Sequence, residues 1–431
     1  AIDAALTTAI TLTVVEACAN GIGGDAFAIV HDGENIYGLN GSGRSPALLT
    51  PDYVDGKMPE IGWLPITVPG EVSAWVALHE RFGSVEFASL FEPAIQYATE
   101  GFHVSRQTAS RWQAGHTRYG HLQSWCDTFL FDGEPPQVGQ LVQLPDHAAT
   151  LQEIAKTKGE SFYRGDLAMQ MDAASQAEGG LLRAEDLASH TVEWVDPMSI
   201  SVGNATLHEL PPNGQGIAAL IALKILQATE TDLSDCDDPR MIHMQIEAMK
   251  RAFSDVHAFV GDPEMASDCT DLLDEDRIAQ HANALLAVAT TVDPEVLPRH
   301  CSTVYLATGD SSGKMVSFIQ SNFEGFGSGI VIPSTGIAMQ NRGIGFSLDP
   351  SHPNCIGPSK RPYHTIIPAF IEQSGGSNVA FGVMGGHMQP QGHLQVVCRM
   401  IFARQNPQAA LDAPRWRLAG SNKVAIEQGF D

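Results

Sequence analysis

Small and apolar residues run almost unbroken from position 1 to 15 and then yield to the turn-rich string Asn20-Gly21-Ile22-Gly23-Gly24-Asp25, which predicts a helix followed by a glycine loop. Two β-rich runs, 26–31 and 36–39, flank Asp32-Gly33 and read as a hairpin. Between Glu71 and Phe82 the residues Val72, Trp75, Val76 and His79 recur at helical spacing, with Pro69 before and Gly83 after as start and stop signals. Further helices are predicted over 91–99, 148–156, 217–227 and 239–253, the last carrying Ile242, Ile246, Met249 and Phe253 on one stripe. The stretch before residue 300 therefore reads as mostly helical.

From 303 onward the period changes to that of strands: 303–308, a turn through Asp310 to Gly313, 315–321, then 329–332, 337–340, 366–371 and 379–384, followed by a helix over 391–402. Helices flanking a sizeable, largely antiparallel sheet predict a layered α/β or α+β architecture. No internal repeat, low-complexity tract or flexible linker interrupts the chain, so the 431 residues read as one compact unit.

Charge narrows the range of partners. Fifty acidic against 25 basic side chains give a formal net charge of −25, which opposes binding of nucleic acid or an anionic membrane through bulk electrostatics. A 43% hydrophobic, 17% charged composition fits a globular chain with a large core. No apolar run reaches the ~20 residues of a spanning helix, because Lys224 interrupts the best candidate, so the chain reads as soluble, with cytoplasm and periplasm both open. The seven cysteines are widely spaced, odd in number and without a C-x-x-C pair, which argues against a disulfide scaffold or a structural zinc site. The sequence opens at Ala1 without an initiator methionine and in what looks like the middle of a helix, so targeting is not legible.

Candidate chemistry begins with the strands bearing Thr303 and Ser321. If the peptide bond before a strand-leading Thr303 is cut, the new α-amine, with an unperturbed pKa near ~7.7–8.0, serves as base for its own hydroxyl. The plain alternative is an ordinary strand former. Gly385-Gly386, between a strand and a helix, would let backbone N–H groups approach a developing anion as an oxyanion hole; a plain tight turn or a phosphate cradle are the alternatives, and no phosphate-loop pattern supports the last. The loop 21–25 precedes a strand, so it is assigned to backbone packing. His352, His364, His387 and His393 lack metal-ligand spacing and read as hydrogen-bonded structural or pocket histidines; no metal and no cofactor is expected. The acidic run Asp232 to Asp238 reads as a solvated loop, with Asp237 or Asp238 capping the next helix.

Beyond these, the strings Asn20-Gly-Ile-Gly-Gly-Asp-Ala-Phe, Thr67-Val-Pro-Gly-Glu-Val-Ser-Ala, Glu100-Gly-Phe-His-Val, Pro211-Pro-Asn-Gly-Gln-Gly, Ile246-Glu-Ala-Met-Lys with Ala252-Phe-Ser-Asp, Thr303-Val-Tyr-Leu-Ala, Phe326-Gly-Ser-Gly-Ile-Val, Gly357-Pro-Ser-Lys-Arg-Pro, Gly385-Gly386 and Leu411-Asp-Ala-Pro-Arg-Trp occur in the order found in the γ-glutamyltransferase family. The chain resembles that family over nearly its whole length. The resemblance implies an N-terminal-nucleophile (Ntn) hydrolase with a four-layered αββα sandwich, made as a proenzyme that cuts itself between Ser302 and Thr303. It implies a large-subunit region, 1–302, and a small-subunit region, 303–431, forming one compact domain after cleavage. Thr303 would attack a small-molecule amide to give an acyl-enzyme that water or an amine acceptor resolves. Gly385 and Gly386 match the family's oxyanion glycines, and Ser321 stands where the family usually has a second threonine. Family members normally carry further segments before the helix that starts at Ala1 and beyond Asp431, and homo-oligomerisation is left open.

The departures concern substrate. Ser42 stands where the family places an arginine on the γ-glutamyl carboxylate, with Arg44 nearest; Gly345 aligns with the aspartate that holds the α-amine; His364 and Thr365 replace two carboxylate-binding serines. The loop before Gly357 is short compared with members that carry a lid. The γ-glutamyl clamp is therefore not carried over, and Arg44, Arg342, His364 and Thr365 are the candidates for holding a differently shaped acid. The expected activity is cleavage of a γ-glutamyl or related small acidic amide. An acylase of the cephalosporin or oxamate type on the same fold, and a binding protein that never matures, stand as the alternatives.

Overall fold

The computed structural model describes residues 1–229, 231–265, 269–285, 288–290, 302–420 and 423–430. Its centre is a pair of antiparallel sheets. The strands are β1 (Asp25–His31), β2 (Ile36–Asn40), β3 (Glu193–Val195), β4 (Met198–Val202), β5 (Ala205–Glu209), β6 (Val304–Gly309), β7 (Met315–Ser321), β8 (Ala369–Gln373) and β9 (Val379–Phe381). They assemble in the orders β3-β2-β1-β7-β6 and β9-β8-β5-β4. The helices that flank them include α1 (Ile2–Val15), α2 (Glu71–Phe82), α3 (Glu92–Glu100), α4 (Arg106–Tyr119), α5 (Pro145–Thr157), α6 (Ile217–Gln227), α7 (Pro239–Phe259) and α8 (Met388–Val397).

Strand alternation sorts the apolar side chains into layers. From β1, Ala26, Ala28 and Val30 join the core under α1, α2 and α3, whereas Phe27 and Ile29 point the other way and meet Ile319, Ile366 and Phe370 in a thin layer between the two sheets. On the far side, Ala369 and Ile371 of β8 pack with Leu220, Ile221, Leu223 and Met249 beneath α6 and α7. The result is the expected four layers, helix, sheet, sheet, helix. Each fully buried Leu, Ile or Phe in these layers contributes about 1.5–3 kcal/mol of transfer free energy. Helix α6 is apolar over most of its surface, with Lys224 and Gln227 the exceptions, because the second sheet covers one side and α7 the other.

Helices α1, α2 and α6 fall where the periodicity predicts them, and Asp238 is the cap of α7, its carboxylate accepting the Arg240 N–H at 2.7 Å. Other expectations need correction. The runs 329–332 and 337–340 are not strands: they meet each other at a single bridge, Val331 with Ala338, and Met339 makes another to Gly23, because left-handed residues at Gly329, Ser334 and Gly336 turn the chain out of the extended path. The strand foreseen over 366–371 begins at Ala369, after Pro368, which has no N–H for a ladder. The helix foreseen over 391–402 starts at Met388 and its tail, Cys398–Phe402, is a π-turn. Besides its helices, the region before 300 supplies the short strands β3 to β5, which the periodicity does not predict. The stripe on α7 is displaced: Met241, Gln245, Ala248, Met249, Ala252, Phe253 and Val256 are buried, while Ile242 and Ile246 are half-buried. Of the cysteines, Cys301 lies outside the described residues, and the other six form no disulfide among the described residues.

Candidate active site

Three polar side chains line up at one end of the first sheet. Thr303 immediately precedes β6, Ser321 ends β7, and Asp25 opens β1; Val304 pairs with Gln320 and Ser321 pairs with Asp25, so the register brings the three together. All are buried. The Thr303 Oγ1 lies 3.4 Å from the Ser321 Oγ, which also accepts the Phe323 N–H at 2.8 Å and donates to the Ser302 carbonyl oxygen at 2.7 Å. Ser302 in turn donates its N–H to the Phe323 carbonyl at 2.9 Å. Phe323 has φ of +75°, an unfavourable conformation for a bulky residue, held by hydrogen bonds at both its N–H and its carbonyl.

The Arg342 guanidinium stacks 4.4 Å from the centre of the Phe323 ring and donates to Thr365 Oγ1 at 2.8 Å. Beside it, His364 Nε2 donates to Asp25 Oδ2 at 3.1 Å, while the other Asp25 oxygen accepts the N–H groups of Gly43 and Gly70. Burial, reinforced by the Arg342 charge, drives His364 down to about 3, so its ring is neutral at physiological pH. Burial would raise the Asp25 carboxyl, but the hydrogen bond from the neutral His364 ring and the Arg342 charge outweigh it and hold the group below its usual value. Glu71, the first residue of α2, is the opposite case: burial and the Asp25 charge push its carboxyl well above the usual range, and neither of its oxygens has a hydrogen-bond partner among the described residues.

Gly385 (φ +113°) and Gly386 (φ +61°) form the turn between β9 and α8 in conformations that favour glycine. Their carbonyls accept from Met388 N and Gln389 N, on the helix side. In a trans peptide the N–H points opposite to the preceding carbonyl, so the Gly386 N–H faces away from the helix. Among the described residues neither glycine N–H donates to protein.

The structure thus gathers Thr303, Ser321, Arg342, His364 and Thr365, and connects Gly386 to them through Gln215, which donates to both the Thr365 and Gly386 carbonyls. Arg44 is engaged elsewhere, paired with Asp262 and Glu264 at 2.7 Å each. Ser42 is fully buried, its Oγ donating to Asn40 Oδ1 at 2.7 Å beside Asn213. Asp25, Glu71 and Gln215 are not legible as site residues from sequence, although all three stand in the family-like strings: polar residues beside glycines were the available signal. The remaining histidines are likewise tied, His393 to Glu209 at 2.6 Å, His352 to the His257 carbonyl, and His387 stacked on Tyr363. Among the described residues no group of three or more His, Cys, Asp or Glu could hold a metal ion, and no helix is long and apolar enough to cross a membrane. A cavity of about 1050 Å³ bordered by Asn204, Asp232, Met400 and Gln405 includes none of the residues of this cluster.

The four-layered αββα sandwich is that of the Ntn-hydrolases. The gamma-glutamyltranspeptidase family model matches residues 1–431, and the chain belongs to that family. It is an enzyme of the γ-glutamyltransferase-like kind, whose chemistry is on amide bonds. It is similar to the glutathione hydrolase-like YwrD proenzyme of Bacillus subtilis (strain 168), 34% identical over 96% of this chain and 80% of that protein. It is equally similar, at 34% over the whole chain and 84% of the relative, to the oxamate amidohydrolase proenzyme of Klebsiella pneumoniae. Among solved structures, the cephalosporin acylase from Bacillus halodurans superposes with a TM-score of 0.95 at 46% identity, over all of this chain and 81% of that one.

Proposed function

We propose that this protein is a self-processing N-terminal-threonine amide hydrolase or acyltransferase acting on a small acidic amide. The observation that carries the reading is Ser321 Oγ, which touches both the Ser302 carbonyl oxygen and the Thr303 hydroxyl. In the first reaction Thr303 Oγ1 adds to the Ser302 carbonyl carbon, with the Ser321 hydroxyl stabilising the developing oxyanion. As the C–O bond forms the C–N bond breaks, the hydroxyl proton ends on the freed Thr303 amine, and water hydrolyses the ester to leave a Ser302 carboxylate. Chains 1–302 and 303–431 are then the large and small subunits.

In turnover the new amine accepts the Thr303 hydroxyl proton as Oγ1 attacks the substrate amide, and passes it to the leaving amine. The Gly385 and Gly386 N–H groups receive the oxyanion. Water, or an acceptor amine, then resolves the acyl-enzyme. Arg342, with Thr365 beside it, is the group we assign to a substrate carboxylate, since a guanidinium binds one through charge-assisted hydrogen bonds. His364, neutral and committed to Asp25, supports the site rather than carrying charge to a ligand.

Non-glutamyl amides are favoured as substrates by one specific feature: the neutral Ser42 stands at the family's arginine position, and the nearby Arg44 is engaged by Asp262 and Glu264, so neither offers a cation to a γ-glutamyl carboxylate. The names of the oxamate amidohydrolase and cephalosporin acylase relatives point the same way. Intact mass of the wild type beside Thr303→Ala, followed by turnover of oxamate, a cephalosporin and glutathione, tests the proposal. Cleavage after Ser302 in the wild type alone, with turnover, is the expected result. An uncut wild type that hydrolyses nothing, yet melts at higher temperature with one of these ligands, would make it a binding protein.

A further inference from the structure

We infer that Gln215 is the positioning residue that sets the glycine turn in register with the arm that carries Arg342. The inference rests on the proposed role of that turn in receiving the oxyanion. Gln215 lies fully buried in the loop between β5 and α6. Its Nε2 donates to the Thr365 carbonyl at 2.5 Å and to the Gly386 carbonyl at 2.9 Å, and its Oε1 accepts the Tyr363 hydroxyl at 2.9 Å. Both amide hydrogens and the oxygen are thus used, and each end of the side chain has one workable orientation: a flipped amide would set its oxygen against two carbonyl oxygens.

The position of these contacts gives Gln215 its importance. Two consecutive glycines have more conformational freedom than any other pair and lose most of it when ordered. Gly386 is held on its helix side by Gln389 N, a bond made within the turn itself; Gln215 is the contact from outside it, reaching from the upstream half of the chain. Thr365, the other recipient, carries Arg342 on its hydroxyl. One amide therefore fixes the separation between the donors for the oxyanion and the support of the substrate anchor. Tyr363 completes the device: its ring stacks on His387, the residue after the turn, while its hydroxyl orients the Gln215 oxygen.

The test compares Gln215→Ala, Gln215→Glu and Tyr363→Phe with the wild type, using self-cleavage, turnover of whichever of oxamate, a cephalosporin and glutathione the wild type cleaves best, and backbone hydrogen exchange of the segment 383–388. Gln215→Ala is expected to cut itself at the wild-type rate, because that step relies on Ser321, while kcat falls about 10–100-fold with KM within about threefold, below the loss seen when an oxyanion donor itself is removed. Exchange in 383–388 should quicken at least about tenfold, with helix 217–227 unchanged. Gln215→Glu keeps the shape but faces two carbonyls with acceptor oxygens, and should be no better than alanine. If the Gln215 variants do not fold, Tyr363→Phe retains the ring and should show the same pattern in smaller measure. Unaltered exchange and unaltered kcat in a folded variant overturn the inference. A wild type that neither cuts itself nor turns over any amide defeats the proposed function instead, and unaltered exchange in the variant would still overturn this inference.

Discussion

His364 and Asp25, 339 residues apart in sequence, meet at 3.1 Å with both side chains fully buried, so that the approach to the second sheet is tied to the first strand of the first. The tie depends on a neutral ring. An unfolded histidine binds a proton near pH ~6.5, whereas folded His364 resists protonation down to about 3, so between those values the unfolded chain holds more protons and stability falls as pH is lowered. His147 and His190, buried and lowered to about 4, add the same sign. Urea unfolding should show stability falling from pH 7 to pH 5 by about 2 kcal/mol for each such histidine. His364→Asn should flatten part of that slope; an unchanged slope would refute the assignment.

Glu71 has the opposite linkage. Its folded carboxyl stays protonated above the pH at which the unfolded side chain ionises, near ~4.3, so it erodes stability as pH rises through that window towards its folded value. Glu71→Gln keeps a neutral side chain of nearly the same shape and removes the proton release on unfolding. The variant should therefore gain melting temperature relative to the wild type at pH 8, and gain little or nothing at pH 4. An equal difference at both values would mean that Glu71 is ionised in the folded protein.

Ser321 should separate maturation from folding. Ser321→Ala deletes the hydroxyl on the Ser302 carbonyl and leaves the strand pairing intact, so self-cleavage is expected to slow about 100-fold while the melting temperature of the uncut chain changes by only a few degrees. Ser321→Thr retains the hydroxyl and should cut at a rate near that of the wild type. Time courses of intact mass after expression measure both.

Much of the layered fold was legible because helix 71–82 carries its own start and stop signals and helix 217–227 a nearly continuous apolar stretch, neither of which needs a distant partner to interpret. The errors have equally local causes. The runs around 330 and 338 have the apolar and β-branched residues of strands, but Ser334 and Gly336 take up left-handed conformations that composition does not reveal. On α7, periodicity fixed the existence of a stripe while tertiary packing chose its neighbour one residue away. Thr303, Ser321 and the two glycines are locally no more than a strand former, its neighbour and a tight turn with a second reading each, and the family resemblance is what gave that second reading weight. Asp25, Glu71 and Gln215 were missed because their meaning lies in contacts with residues far along the chain.

Strands from before Ser302 and from after it share the same two sheets: β3, β2 and β1 continue into β7 and β6, and β9 and β8 into β5 and β4. A break ahead of Thr303 thus severs a covalent link without freeing a piece, since each fragment supplies the edge on which the other is built. Neither would possess a finished hydrophobic interior when expressed alone, and mixing them would be a folding problem rather than a docking one. Cutting such a chain changes an amide into an amine while its architecture remains shared property.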